Sequence, residues 1–144
     1  MLNWKNFILF TLISLLAGCS CSKEERLLSP TEMWYKATEF DPSTELVFVA
    51  DTPEGRARRV LCSQYRAEGC IEGSGKRIKV RLVELLVIQY DSEKNACKAA
   101  LEVGQWYAYN WLFDDVTNEP VLEDYVQKGF EAKKPVSAED CSKL

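Results

Sequence analysis

RIKVRLVELLVIQY, residues 77–90, reads as β-structure from end to end. In its first half Ile78, Val80 and Leu82 fall on one face and Arg77, Lys79 and Arg81 on the other, the period of two that a strand with one buried side imposes. LLVIQY carries the β character on to Tyr90. Strands average about 5–6 residues, so this run implies either one strand bent by a bulge or two strands joined without a loop.

Working outward, LVFVA at 46–50 is a continuous apolar run bounded by charged and turn residues, which predicts a central strand covered on both faces. Asp51-Thr52-Pro53-Glu54 starts a helix, with Ala57, Val60, Leu61 and Tyr65 as its buried stripe and Gly69 as its end. Upstream, Ser29-Pro30-Thr31-Glu32 is a capping box with proline at the first helical position, followed by Met33, Ala37 and Phe40 on one face and a stop at Asp41-Pro42. Downstream, Ser92 caps a helix whose Ala96, Cys97, Ala100, Leu101 and Gly104 permit close packing on a sheet.

WYAYNWLF, residues 106–113, reads as a further strand with Tyr107, Tyr109, Trp111 and Phe113 on one face. Tyr107, Tyr109 and Trp111 are then candidates for an aromatic platform that stacks on sugar rings or clamps a peptide; burial between helices is the favoured alternative. Val121, Leu122, Tyr125 and Val126 recur at helical spacing after Pro120. Helix and strand alternate throughout, which predicts an α+β or α/β fold: a small two-layer sandwich of helices on a thin sheet of three to five strands. A ferredoxin-like arrangement is the nearest named analogy, a thioredoxin-like one the second.

The amino terminus has another character. From Phe7 to Ala17 the side chains are almost wholly apolar, after one cation at Lys5, and the run stops at Gly18-Cys19-Ser20-Cys21 and the charged Lys23-Glu24-Glu25. Such a segment is too short to span a bilayer, which takes ~20 apolar residues, and has the layout of a secretory signal. Leu16-Ala17-Gly18-Cys19 resembles the lipobox of bacterial lipoprotein precursors. That resemblance covers only about the first twenty residues. It implies that residues 1–18 are a signal peptide, that Cys19 becomes the first mature residue, and that its thiol takes a diacylglyceryl group and its amine a further acyl chain such as palmitate. It further implies a lipid-anchored place in the cell envelope. Ser20, not being Asp, implies the periplasmic face of the outer membrane by the enteric sorting rule. Residues 19–28 then form a tether, 29–130 a globular domain and 131–144 a polar tail.

An exported chain meets an oxidising compartment, where disulfides persist. Cys62, Cys70, Cys97 and Cys141 are the candidates, with Cys62–Cys70 and Cys97–Cys141 preferred among three possible connectivities and Cys21 left over. The chain has no histidine, which removes Ser-His-Asp and Cys-His catalysis and His-ligated metals. With no Cys-x-x-Cys pair either, neither a metal nor a cofactor is expected. GSGK at 73–76 lacks the earlier glycine, the following Ser or Thr and the helix of a phosphate-binding loop, and reads as a strand-entry turn.

Charge is unevenly spread. Residues 56–81 carry eight basic and two acidic residues between acidic flanks. Arg56, Arg58, Arg59, Lys76, Arg77, Lys79 and Arg81 could therefore meet an anionic lipid or polymer; pairing with the protein's own carboxylates is the favoured alternative. Nucleic acid is not an expected partner of an exported acidic chain. The function these features indicate is a lipid-anchored envelope module that binds or scaffolds, through an envelope protein or the membrane, without catalysis. A thiol-redox protein and a carboxylate-based hydrolase of cell-wall material are the alternatives.

Overall fold

A computed structural model describes residues 24–144; Cys19, Cys21 and the signal segment lie outside the described residues. Five strands form one antiparallel sheet in the order β1-β2-β3-β5-β4: β1 (Glu45–Leu46), β2 (Lys76–Val80), β3 (Val83–Gln89), β4 (Trp106–Ala108) and β5 (Trp111–Asp114). The helices are α1 (Pro30–Phe40), α2 (Pro53–Ala57), α3 (Glu93–Val103), α4 (Pro120–Phe130) and α5 (Ala138–Ser142). The α+β sandwich expected from the alternation is therefore present, with the sheet at the upper end of the expected strand number. β3 and β4 flank β5, and both run antiparallel to it, so β3-α3-β4 is a split βαβ unit with β5 returning into the gap.

The long β run resolves into two strands. Val80 pairs with Val83 and the chain reverses through Arg81 and Leu82 alone, both at positive φ (48° and 72°). Such two-residue turns match the twist of a hairpin and normally use Asn or Gly. Here the Arg81 amide donates to Ser43 Oγ (3.1 Å) and its guanidinium Nε to Asp41 Oδ2 (2.7 Å), so the turn is held from outside. Leu82, placed inward by the alternation, sits instead at the tip and is 86% exposed.

Strand alternation gives the sheet two cores. Ile78, Val80, Leu85, Val87, Trp111 and Phe113 pack under α1 and α4, where Met33, Leu122, Val126 and Phe130 close the layer. On the opposite face Ile88, Tyr90, Tyr107 and Leu112 meet the small residues Ala96, Cys97 and Ala100 of α3. Burial of each large apolar side chain contributes roughly 1.5–3 kcal/mol, so both layers matter to stability. The caps follow the sequence: Ser29 and Glu32 make the reciprocal box on α1, Ser92 Oγ accepts from the Asn95 amide, and Gly104 ends α3 at φ 67°.

Three elements depart from expectation. LVFVA is not central: Glu45–Leu46 pair with β2 at the sheet edge, the Val47 amide adds one bond to Arg77, and Phe48 is 85% exposed. The helix begun by Thr52 and Pro53 stops after Ala57, and the chain goes on through a 3₁₀ turn at Cys62–Gln64, because the Cys62–Cys70 disulfide and Gln64, which accepts from the Leu61 amide, hold it off the helical path. Residues 106–113 are two strands, with Ala108 paired to Trp111 across a turn of Tyr109 (φ 54°) and Asn110.

The polar tail is also part of the fold. Lys133 bridges Tyr107, and α5 packs on α3 with Cys141 bonded to Cys97. At the other terminus, Leu28 is fastened by its backbone. Its carbonyl accepts from Trp111 Nε1 (2.9 Å) and Gln89 Nε2 (3.1 Å), and its amide donates to Asn110 Oδ1 (2.7 Å).

Candidate functional site

Part of the basic centre assembles on one side of the sheet, while Arg81, at the hairpin tip, turns to Asp41 at the end of α1 on the other. Arg77 and Lys79 project from β2 on the face opposite Ile78 and Val80, and the segment after α2 brings Arg58 and Arg59 beside them; Arg77 Nε donates to the Arg58 carbonyl (2.6 Å). Most of its cations meet the protein's own carboxylates. Arg56 and Arg59 share Asp51 (3.2 and 2.9 Å), Arg58 and Arg77 share Glu84 (3.0 and 3.5 Å), Lys79 meets Glu45 (3.1 Å) and Arg81 meets Asp41. Among the described residues Lys76 reaches only the Gly73 carbonyl (3.4 Å). The geometry favours self-pairing over a bare cationic patch. It also leaves four guanidiniums on two carboxylates, so a positive excess persists.

That excess borders a shallow groove of about 410 Å³, formed by Leu46–Val49 on one side and by Arg58, Val60, Gly75 and Arg77 on the other. Glycine is required at 75, where a Cβ would stand 2.2 Å from the Val60 carbonyl oxygen. GSGK is thus a strand-entry turn, with Gly73 at φ 77° and β2 beginning at Lys76.

The aromatic platform is not formed. Tyr107 (3% exposed) lies under α3 and Trp111 (1% exposed) in the opposite core, because the hairpin reverses the phase of alternation between them. Tyr109 sits in the turn with the Arg26 guanidinium over its ring at 4.9 Å. Asp114 and Asp115 are not set as an acid-base pair: Asp114 accepts from the Tyr65 hydroxyl (2.8 Å) and from the Asp115 amide (2.8 Å), and Asp115 takes a left-handed backbone at φ 59°. Burial, and then the hydrogen bond to Asp114, push the Tyr65 phenol far up, so it stays protonated and donates. Burial raises the Asp115 carboxyl, Asp114 adds to the effect, and Arg77 opposes it.

Both preferred disulfides are present, Cys62–Cys70 and Cys97–Cys141, with Cα separations of 5.7 and 5.5 Å. Among the described residues no group of three His, Cys, Asp or Glu side chains could hold a metal, and no helix is long and apolar enough to cross a membrane. The feature that sequence reasoning misplaced is the apolar edge: an uninterrupted LVFVA is the same signal whether another element covers it or not. No family model, curated protein or solved structure matches the chain.

Proposed function

We propose that this chain is a bacterial envelope lipoprotein, anchored through lipid on Cys19, whose domain serves as a non-enzymatic binding or scaffolding module at the membrane surface. The observation that carries the reading is the apolar run that ends at Leu16-Ala17-Gly18-Cys19. Two disulfides agree with export to an oxidising compartment, and we place the module on the periplasmic face of the outer membrane because Ser20 follows the anchor. Two or more acyl chains are what stable anchoring needs. The Glu93 amide donates to Glu25, and the Arg26 guanidinium donates to the buried Glu93 carboxylate at 2.6 Å, so at most six residues, about 20 Å when extended, separate Cys19 from the first attachment to the domain. The domain then lies close to the bilayer.

Binding is preferred to thiol redox chemistry because Cys97 and Cys141 are bonded and buried between α3 and α5. It is preferred to carboxylate hydrolysis because Asp114 is engaged by Tyr65 and not opposed across a cleft. Metabolic labelling with a fatty acid tests the anchor. The parent chain should take up label and lose its signal segment, and Cys19→Ser should do neither. Equal labelling and processing of the two would overturn it.

A further inference from the structure

We propose that the β1 edge is a docking site for an extended segment of another protein, one that alternates apolar and acidic residues and adds to the sheet as a sixth strand. The backbone provides the first reason. The Val47 amide donates to the Arg77 carbonyl (3.0 Å), so odd-numbered residues of this strand face β2, and Leu46 and Phe48 turn their N–H and C=O groups outward. The Phe48 amide has no hydrogen-bond partner among the described residues. An unpaired edge of this kind is a template for another strand.

Side chains decide which strand. Leu46 pairs with Ile78 and therefore sits with Phe48 on the face of β2 that carries Ile78; the two are 56% and 85% exposed. Arg77 lies on the other face, with Arg58 and Arg59 beside the groove, and these cations outnumber the carboxylates that bind them. A strand laid along β1 alternates its side chains with a period of two. Apolar residues would then cover Leu46 and Phe48 while acidic residues meet the guanidiniums. A second copy of this chain would bring like charge to the same edge. A hydrocarbon surface would leave the outward backbone groups unsatisfied.

This inference rests on the binding-module part of the proposed function and not on the lipid. The test uses the full chain in detergent, as parent and as Cys19→Ser, with the capped peptide Val-Glu-Val-Glu-Val-Glu-Val as probe. Hydrogen exchange at the Leu46 and Phe48 amides should slow at least tenfold at saturation in both chains. The lysine-for-glutamate peptide should not protect them. Of two glutamate peptides N-methylated on alternate residues, one in each phase, one should bind and the other fail. Absence of protection, equal protection by the lysine peptide, or equal binding of both methylated phases would overturn the proposal. So would protection by anionic phospholipid vesicles without protection by the peptide, which would assign the edge to a bilayer. Loss of acyl label in the parent with protection intact would overturn the anchor alone.

Discussion

At the β4 edge, Tyr107 exchanges two backbone hydrogen bonds with Lys133 (2.9 and 2.8 Å), and the tail that carries Lys133 runs on into α5, bonded to α3 through Cys97–Cys141. At the β1 edge, Glu45, Leu46 and the Val47 amide pair inward, Leu46 and Phe48 stay exposed, and no strand lies outside them among the described residues. Sheet edges left bare are a hazard that proteins cover, charge or shorten. Here one edge is covered by the chain's own terminus and the other is only shortened and flanked by charge. The difference teaches that the tail is a structural cover, and that the open edge is where the fold retains capacity to pair.

The largest effect should come from breaking the closed edge. On loop-closure entropy, a bridge across 44 residues is worth about 4 kcal/mol and one across 8 about 2.5 kcal/mol. Replacing Cys97 and Cys141 together by Ala should therefore lower unfolding stability in urea by about 4 kcal/mol, and should release the Tyr107 and Lys133 amides to exchange. Replacing Cys62 and Cys70 by Ala should cost less and leave those two amides protected. The comparison fails if the short bridge proves the more costly, or if the Lys133 amide stays protected without Cys97–Cys141.

How far the sequence discloses this architecture depends on whether local chemistry or distant contact decides each element. Caps and periodicity placed α1, α3 and α4, since Ser29, Ser92 and Pro120 act within one turn of themselves. The hairpin tips were not legible, because Arg81, Leu82 and Tyr109 adopt positive φ without glycine and are held by Ser43, Asp41 and Arg26 from elsewhere in the chain. That second tip also misled the aromatic reading: an unnoticed reversal moves Tyr107 and Trp111 to opposite faces. Charge reached the right neighbourhood but not its pairing, for Glu84 and Asp51 join Arg58 and Arg59 only in three dimensions. Nothing local separates a covered LVFVA from a bare one.

A middle-sized effect belongs to the turn that joins β2 to β3. Hydrogen bonds from Ser43, opposed by burial and then aided by Arg81, hold the Asp41 carboxyl below its ordinary range. A depressed carboxyl contributes stability above its unfolded value, near 3.9, and that contribution is lost as pH falls through the lower folded value. Stability should thus fall below about pH 4 in the parent. Asp41→Asn should remove about 1 kcal/mol at neutral pH and flatten the acid limb. An unaltered acid limb in that variant would mean that other carboxylates carry the pH dependence.

The smallest effect on stability, and the one that most sharpens the contrast between edges, is expected at Phe48. Its ring is almost wholly exposed, so Phe48→Ser removes little buried area and should change the urea midpoint by no more than about 0.5 kcal/mol equivalent. A serine at the matching place on the closed side, Tyr107→Ser, would empty a site beneath α3 and should cost about 3–5 kcal/mol, as truncation of a buried aromatic does. The pair therefore measures how much of each edge the fold itself uses. If Phe48→Ser proves as costly as Tyr107→Ser, the ring packs against this chain in solution and the β1 edge is closed after all. If it is nearly neutral, the fold itself makes no use of that side chain, and the β1 edge stays open to the strand addition proposed above.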